Sequence, residues 1–133
     1  MGHATIQSIN TALLKIKESI EGERIMVLSK REKNRKTLEK LGFMSVHVIE
    51  EIKTLTYKNY LKGPEQNKSR TGNVKGAVWK FGKKVEGLNI YIKIHVIPIS
   101  KGNTQTLCIS FHEDEKEKEF VFPYANSNFP EVS

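Results

Sequence analysis

The chain has 133 residues, 38% hydrophobic and 28% charged, with 4 prolines and one cysteine, the composition of an ordinary soluble globular protein. That length predicts one domain, 1–133, large enough for a real core, and the lone Cys108 excludes an internal disulfide. With 22 Lys and Arg against 15 Asp and Glu, the net charge of +7 favours a polyanionic or acidic partner, and the lack of a leader or long apolar run predicts a cytoplasmic protein with no membrane association.

Thr5 to Glu21 carries Ile6, Ile9, Leu13, Ile16 and Ile20 at spacings of three and four, the stripe of an amphipathic helix, and Gly22 ends it. Arg24 to Leu28 reads as a short strand. Ser29 or Asn34 is placed to cap a second helix, with Leu38 and Leu41 inward and Gly42 closing it. Ser45 starts a third, with Val46, Ile49 and Ile52 inward and Leu55 continuing that face. Gly63-Pro64 reads as a break, and Glu65 to Gly76 as a polar loop. Ala77 to Phe81 resumes as a strand whose Trp79 and Phe81 share a core face, and Gly82 to Gly87 reads as a hairpin connection.

The next segment alternates strictly: Ile90, Ile92, Ile94 and Val96 point one way, Tyr91, Lys93 and His95 the other. Thr106 to His112 repeats the pattern, with Leu107, Ile109 and Phe111 inward and Cys108, Ser110 and His112 outward. Phe120 to Tyr124 reads as a short edge strand, since Pro123 blocks further pairing. Helices first and strands after predict an α+β fold: N-terminal helices, about 5–60, packed on one face of a curved antiparallel sheet, about 76–124. The concave side is then left for function.

That side would display Tyr91, Lys93, His95, Ser110 and His112. A phenol, an ammonium and two imidazoles suit a phosphodiester, and no carboxylate is expected among them. Between residues 58 and 84 there are seven Lys plus Arg70 against the single acid Glu65, so Arg70, Lys83 and Lys84 are candidate contacts to a polyanion. One Cys and four His without paired-ligand spacing make no metal centre, and the stretch from Gly72 to Gly82 lacks P-loop spacing. No cofactor is expected. His95 reads as a satisfied surface residue, and His47 as structural or exposed on the third helix.

The order helix–short strand–helix, followed by Tyr60-Leu61-Lys62-Gly63-Pro64, Val78-Trp79-Lys80-Phe81-Gly82, Ile90-Tyr91-Ile92-Lys93-Ile94 and Cys108-Ile109-Ser110-Phe111-His112, resembles the motility-quorum-sensing-regulator (MqsR) toxins of bacterial toxin–antitoxin pairs. The resemblance covers roughly residues 20 to 124. It implies a RelE-like, microbial-RNase-like fold, messenger RNA as substrate, cleavage without a metal and a cognate antitoxin as partner. The best-studied branch uses a Lys, a Gln, a Tyr and a final Lys around the scissile phosphate. Lys62 matches the first Lys and Tyr91 the Tyr, while Lys93 matches a following strand lysine. Lys80 stands where Gln is expected, and His112 replaces the final Lys.

With these residues, the RNA 2′-hydroxyl can attack the adjacent phosphorus and expel the 5′-oxygen. His112 is then the leading general acid or base, with Tyr91 an orienting hydroxyl or proton-transfer partner. Lys62, Lys80 and Lys93 would hold the phosphate and the charge that develops on it. Three nearby lysines are expected to lower the Tyr91 pKa if it is to act as a base. The competing reading is a non-catalytic module of mobile-element origin that binds nucleic acid or an acidic protein through the same basic face.

Overall fold

The computed structural model describes residues 2–69, 72–114 and 120–131. In chain order the elements are α1 (Ile6–Glu21), β1 (Ile25–Val27), α2 (Glu32–Leu41), α3 (Ser45–Lys53), β2 (Tyr60–Ser69), β3 (Gly72–Val85), β4 (Leu88–Pro98) and β5 (Thr104–Glu113), with 3₁₀ turns at Tyr57–Asn59 and Ser100–Gly102. The fold is α+β, three helices and a curved five-stranded sheet in the order β1-β5-β4-β3-β2. It is antiparallel except at one edge, where β1 runs parallel to β5.

Helix α1 forms where the stripe predicts it. Thr5 caps it by accepting from the Ser8 amide, and Ile9, Leu13 and Ile16 are buried with Ile6 and Ile20 packed alongside. On α3 Ile52 is buried as expected, as is Leu55 beyond it, whereas Val46 is exposed and Val48 takes the inward position. Neither Ser29 nor Asn34 caps α2, whose N-cap is Arg31. Gly42 does close that helix, in the left-handed conformation at φ 70°.

Asn34 is instead buried and serves β5. Its amide donates to the Leu28 and Ile109 carbonyls at 2.9 Å each and accepts from the Phe111 amide at 2.9 Å. Thr37 accepts from the Glu113 amide at 2.9 Å. Because β1 is only three residues long, these side chains take the place of a longer neighbour and satisfy backbone groups that would otherwise be buried unpaired.

The core lies between the helices and one face of the sheet. Ile90, Ile92 and Ile94 of β4 are fully buried there with Phe81, Phe111 and Cys108, each large apolar side chain contributing about 1.5–3 kcal/mol by leaving water. The alternation predicted for β4 holds through Val96, which joins Ile90, Ile92 and Ile94 in the core. That predicted for β5 fails in its first half, because Lys93 pairs with Ser110 but Ile94 pairs with Cys108, leaving Ile109 as an extra residue. This bulge reverses the phase of the strand. Cys108 therefore enters the core, Leu107 and Ile109 are only half-buried outside it, and Phe111 keeps its expected place.

The expected loop from Glu65 to Gly76 is a hairpin of β2 and β3, and β2 continues, with a shift of register, past Gly63-Pro64, a cis peptide bond. The sheet thus includes residues from 60 onward and β1, earlier than its predicted start. Only Glu86 and Gly87, at φ 48° and 83°, connect β3 to β4, a two-residue turn with both φ positive. Phe120 to Tyr124 forms no strand; Tyr124 donates its hydroxyl to the Ala4 carbonyl at 2.6 Å.

Candidate active site

The strand register sets out the open face of the sheet row by row. Lys62 of β2 opposes Lys80 of β3, Lys80 opposes Lys93 of β4, and Lys93 opposes Ser110 of β5. Residues directly opposite share a face, so three ammonium groups and a hydroxyl lie in one line across the sheet. Two residues along each strand, and so on the same face, Gly82 opposes Tyr91 and Tyr91 opposes His112. The Tyr91 and His112 rings are 5.6 Å apart between centroids. Six side chains spread over fifty positions of sequence, from Lys62 to His112, share one face.

Like charges directly opposite one another destabilise a sheet, and a carboxylate offsets part of this repulsion. Glu65 lies 2.8 Å from the Lys80 ammonium and 3.4 Å from that of Lys62. The hydrogen bond from Lys80 outweighs burial and holds the Glu65 carboxyl below its ordinary value. The expectation of a face without a carboxylate is therefore corrected. Its cause is an irregularity in β2: Lys62 pairs with Lys80 but Glu65 with Val78, so one extra residue is absorbed at Gly63-Pro64. Gly63 adopts φ 119°, and a Cβ there would meet the Val78 carbonyl at 2.8 Å. Only glycine suits that turn.

Tyr91 is also not as expected. Its phenol is pushed above the ordinary value of 10.0, by burial first and by the negative charge of Glu65 second. The lysines do not reverse this, so Tyr91 is a proton donor at neutral pH. His112 stands opposite Tyr91 on β5. Its Nδ1 lies 3.0 Å from the Glu113 carbonyl, which can only accept. In the neutral ring Nδ1 therefore carries the proton, and Nε2 holds the lone pair.

A groove of ≈ 520 Å³ borders Tyr91, lined also by Leu61, Lys62, Lys80, Asp114, Phe120 and Val121. On the other side a cleft of ≈ 190 Å³ is lined by His112 and Ser110 together with Arg31, Lys33 and neighbouring residues of α2. Tyr91 and His112 thus sit between two recesses of the open face.

Other candidates lie elsewhere. Lys83 does not join this face: it opposes the core residue Ile90 and points to the helical side. There its ammonium meets the Glu51 carboxylate at 2.7 Å and the Thr54 hydroxyl. Lys84 is exposed at the hairpin end of β3, four residues along the strand from Lys80. Arg70 lies outside the described residues. His95 is on the open face but is buried, its Nε2 2.8 Å from the Lys75 carbonyl. His47 is exposed and its Nδ1 accepts from the Met44 amide at 2.8 Å, a local cap. Among the described residues no cluster of His, Cys, Asp and Glu could hold a metal ion.

The sequence does not reveal Glu65 beside the lysines, nor Asp114, Phe120 and Val121 in the groove lining. The Phe120 ring lies against Gly82, where a Cβ would meet its Cδ2 at 2.7 Å. A glycine inside a strand between lysines was the available signal, since such a residue marks close approach of another group.

No described helix is long and apolar enough to cross a membrane. No curated protein and no solved structure matches the chain at a significant level. A family model described as "Motility quorum-sensing regulator, toxin of MqsA" matches residues 9–113, from within α1 to the last residue of β5 and through every lysine, tyrosine and histidine of the open-face rows. The chain belongs to the MqsR toxin family, and so to the toxins of toxin–antitoxin systems.

Proposed function

We propose that the protein is a metal-independent endoribonuclease that cuts messenger RNA in the cytoplasm and is neutralised by a cognate antitoxin. The observation that carries this reading is the pairing of a lone-pair imidazole nitrogen on His112 with a protonated phenol on Tyr91, beside the row Lys62, Lys80 and Lys93. His112 Nε2 takes the proton of the RNA 2′-hydroxyl, and the 2′-oxygen forms a bond to phosphorus. The bond from phosphorus to the 5′-oxygen breaks, and Tyr91 gives its proton to the departing oxygen. The products are a 2′,3′-cyclic phosphate and a 5′-hydroxyl. The imidazolium returns its proton to solvent as the phenolate regains one.

The lysines act on the charge that builds on the non-bridging oxygens, the kind of stabilisation that is often the largest part of catalysis. Lys80, 21% exposed at its side chain against 70% for Lys62, is screened less by water and so contributes more. For RNA to reach it, the phosphate competes with Glu65 for the same ammonium. The basic face also offers an acidic antitoxin a target, and the antitoxin is expected to compete with RNA.

Pure protein incubated with RNA in excess chelator tests the reading. Cleavage leaving 2′,3′-cyclic phosphate ends is expected, and its loss in His112→Ala and Tyr91→Phe. Salt-dependent RNA binding by a wild-type protein that cuts nothing would establish the non-catalytic binding module instead.

A further inference from the structure

The open face carries two parallel lanes of different chemistry. One is the lysine row. The other, two residues away along each strand, runs from Phe120 and Leu61, which lie over Gly82, through Tyr91 to His112. Two residues of strand separate the lanes by about 6.6 Å, comparable to the offset between a nucleotide's phosphate and its base. Gly82 is what lets the second lane be apolar at its end. Any side chain there would displace the Phe120 ring or Leu61, whose Cδ1 a Cβ would approach to 3.1 Å. The groove beside them is open, and Val121 at its rim is 79% exposed.

We infer that Phe120, with Leu61 and Val121, forms a platform for one unpaired nucleobase next to the phosphate held by the lysine row. This rests on the RNA reading above and extends it to recognition of the strand. Aromatic side chains beside a basic track bind single-stranded nucleic acid by stacking with little dependence on base identity. Lys62 and Lys80 outnumber the one acid of the groove lining, Asp114, and so favour a polyanion, and the apolar surface selects the flat part of it. A base within a duplex has both faces covered and does not fit, so the platform selects single strands.

The test uses a short single-stranded RNA that is 2′-fluoro-substituted throughout, so that it lacks the attacking hydroxyl, with 2-aminopurine placed at one position at a time. Wild-type protein is expected to quench the probe at one position. Phe120→Ala is expected to abolish that quenching and weaken binding about 5- to 150-fold, the range for loss of one stacked base. The slope of affinity against salt should stay unchanged, because no charge is lost. Phe120→Leu, which keeps an apolar side chain over Gly82, should lose quenching like Ala, and Phe120→Trp should restore it. If wild type binds this RNA with salt-dependent affinity but Phe120→Ala and Phe120→Leu match it in quenching and affinity, the platform is refuted and the RNA reading stands. Absence of any binding by wild type at low salt overturns both.

Discussion

His95 and His112 lie on the same face of the same sheet, and their surroundings differ completely. At the His112 end the face is open between two recesses, and the ring stacks loosely against a tyrosine. At the His95 end, Gly76 at φ 96° packs its backbone against the Val96 carbonyl, and the Lys75 carbonyl accepts from the ring nitrogen. One imidazole is buried against backbone, and the other lies half-buried between two recesses. Residue type and face therefore do not decide a role here. What covers each end of the sheet does.

The largest effect that would break this contrast is catalytic. His112→Ala or Tyr91→Phe should lower RNA cleavage by about 10²–10⁴-fold, as loss of a general acid or base does, and relieve growth arrest on overexpression. Thermal melting should stay near that of wild type. A substantial drop in melting temperature would place both residues with His95 as structural.

The core face supplies the next effect. Phe111→Ala should cost about 3–5 kcal/mol in denaturant unfolding, the range for a buried aromatic. Ile109→Ala, at the extra residue of the bulge, should cost about 1 kcal/mol or less. Equal losses would mean that β5 keeps one phase throughout.

His95→Ala should cost about 1–3 kcal/mol, because it leaves the Lys75 carbonyl without its donor. The rate constant per folded molecule should not change. A fall in kcat comparable with that of His112→Ala would put His95 into the chemistry.

Smaller effects separate the lysines. Lys80→Ala should flatten the log–log salt dependence of single-strand RNA affinity by about 0.7, one phosphate contact, whereas Lys83→Ala should leave the slope unchanged because Lys83 lies across the sheet with Glu51. Glu65→Gln should tighten RNA binding by removing the carboxylate that competes for Lys62 and Lys80. Its pH signature has a definite sign. The folded-state pKa of Glu65 is lowered from 4.5, so its contribution to stability is in place above about that value and is lost as pH falls through the lowered one. Wild type should therefore lose slightly more stability than Glu65→Gln on acidification, and parallel melting curves would show that the ion pairs contribute nothing.

The legible parts of the chain were those with local periodicity. The stripe on α1 and the alternation of Ile90, Ile92 and Ile94 identified helix, strand and core together, because each element must bury its apolar side against the other. Tyr91 and His112 came from the same alternation and from resemblance to the family. Phase errors arose where periodicity was interrupted. The bulge at Ile109 moves Cys108 inward, and a bulge is a property of the pairing between two strands, invisible in either alone. The hairpin at 60–85 was hidden because its polar residues carry no apolar pattern, although their backbones still pair.

The sequence by itself determined the helices, the central strand and its buried face, the excess of positive charge before it and the family. Those properties follow from neighbouring residues or from composition. Only the tertiary structure decided that Lys83 faces away from Lys80, that Glu65 reaches back to two lysines, that His95 is covered and that Phe120 rests on Gly82. Each of these depends on cross-strand register or on a segment returning from far along the chain, and the energies that set register are summed over the whole sheet.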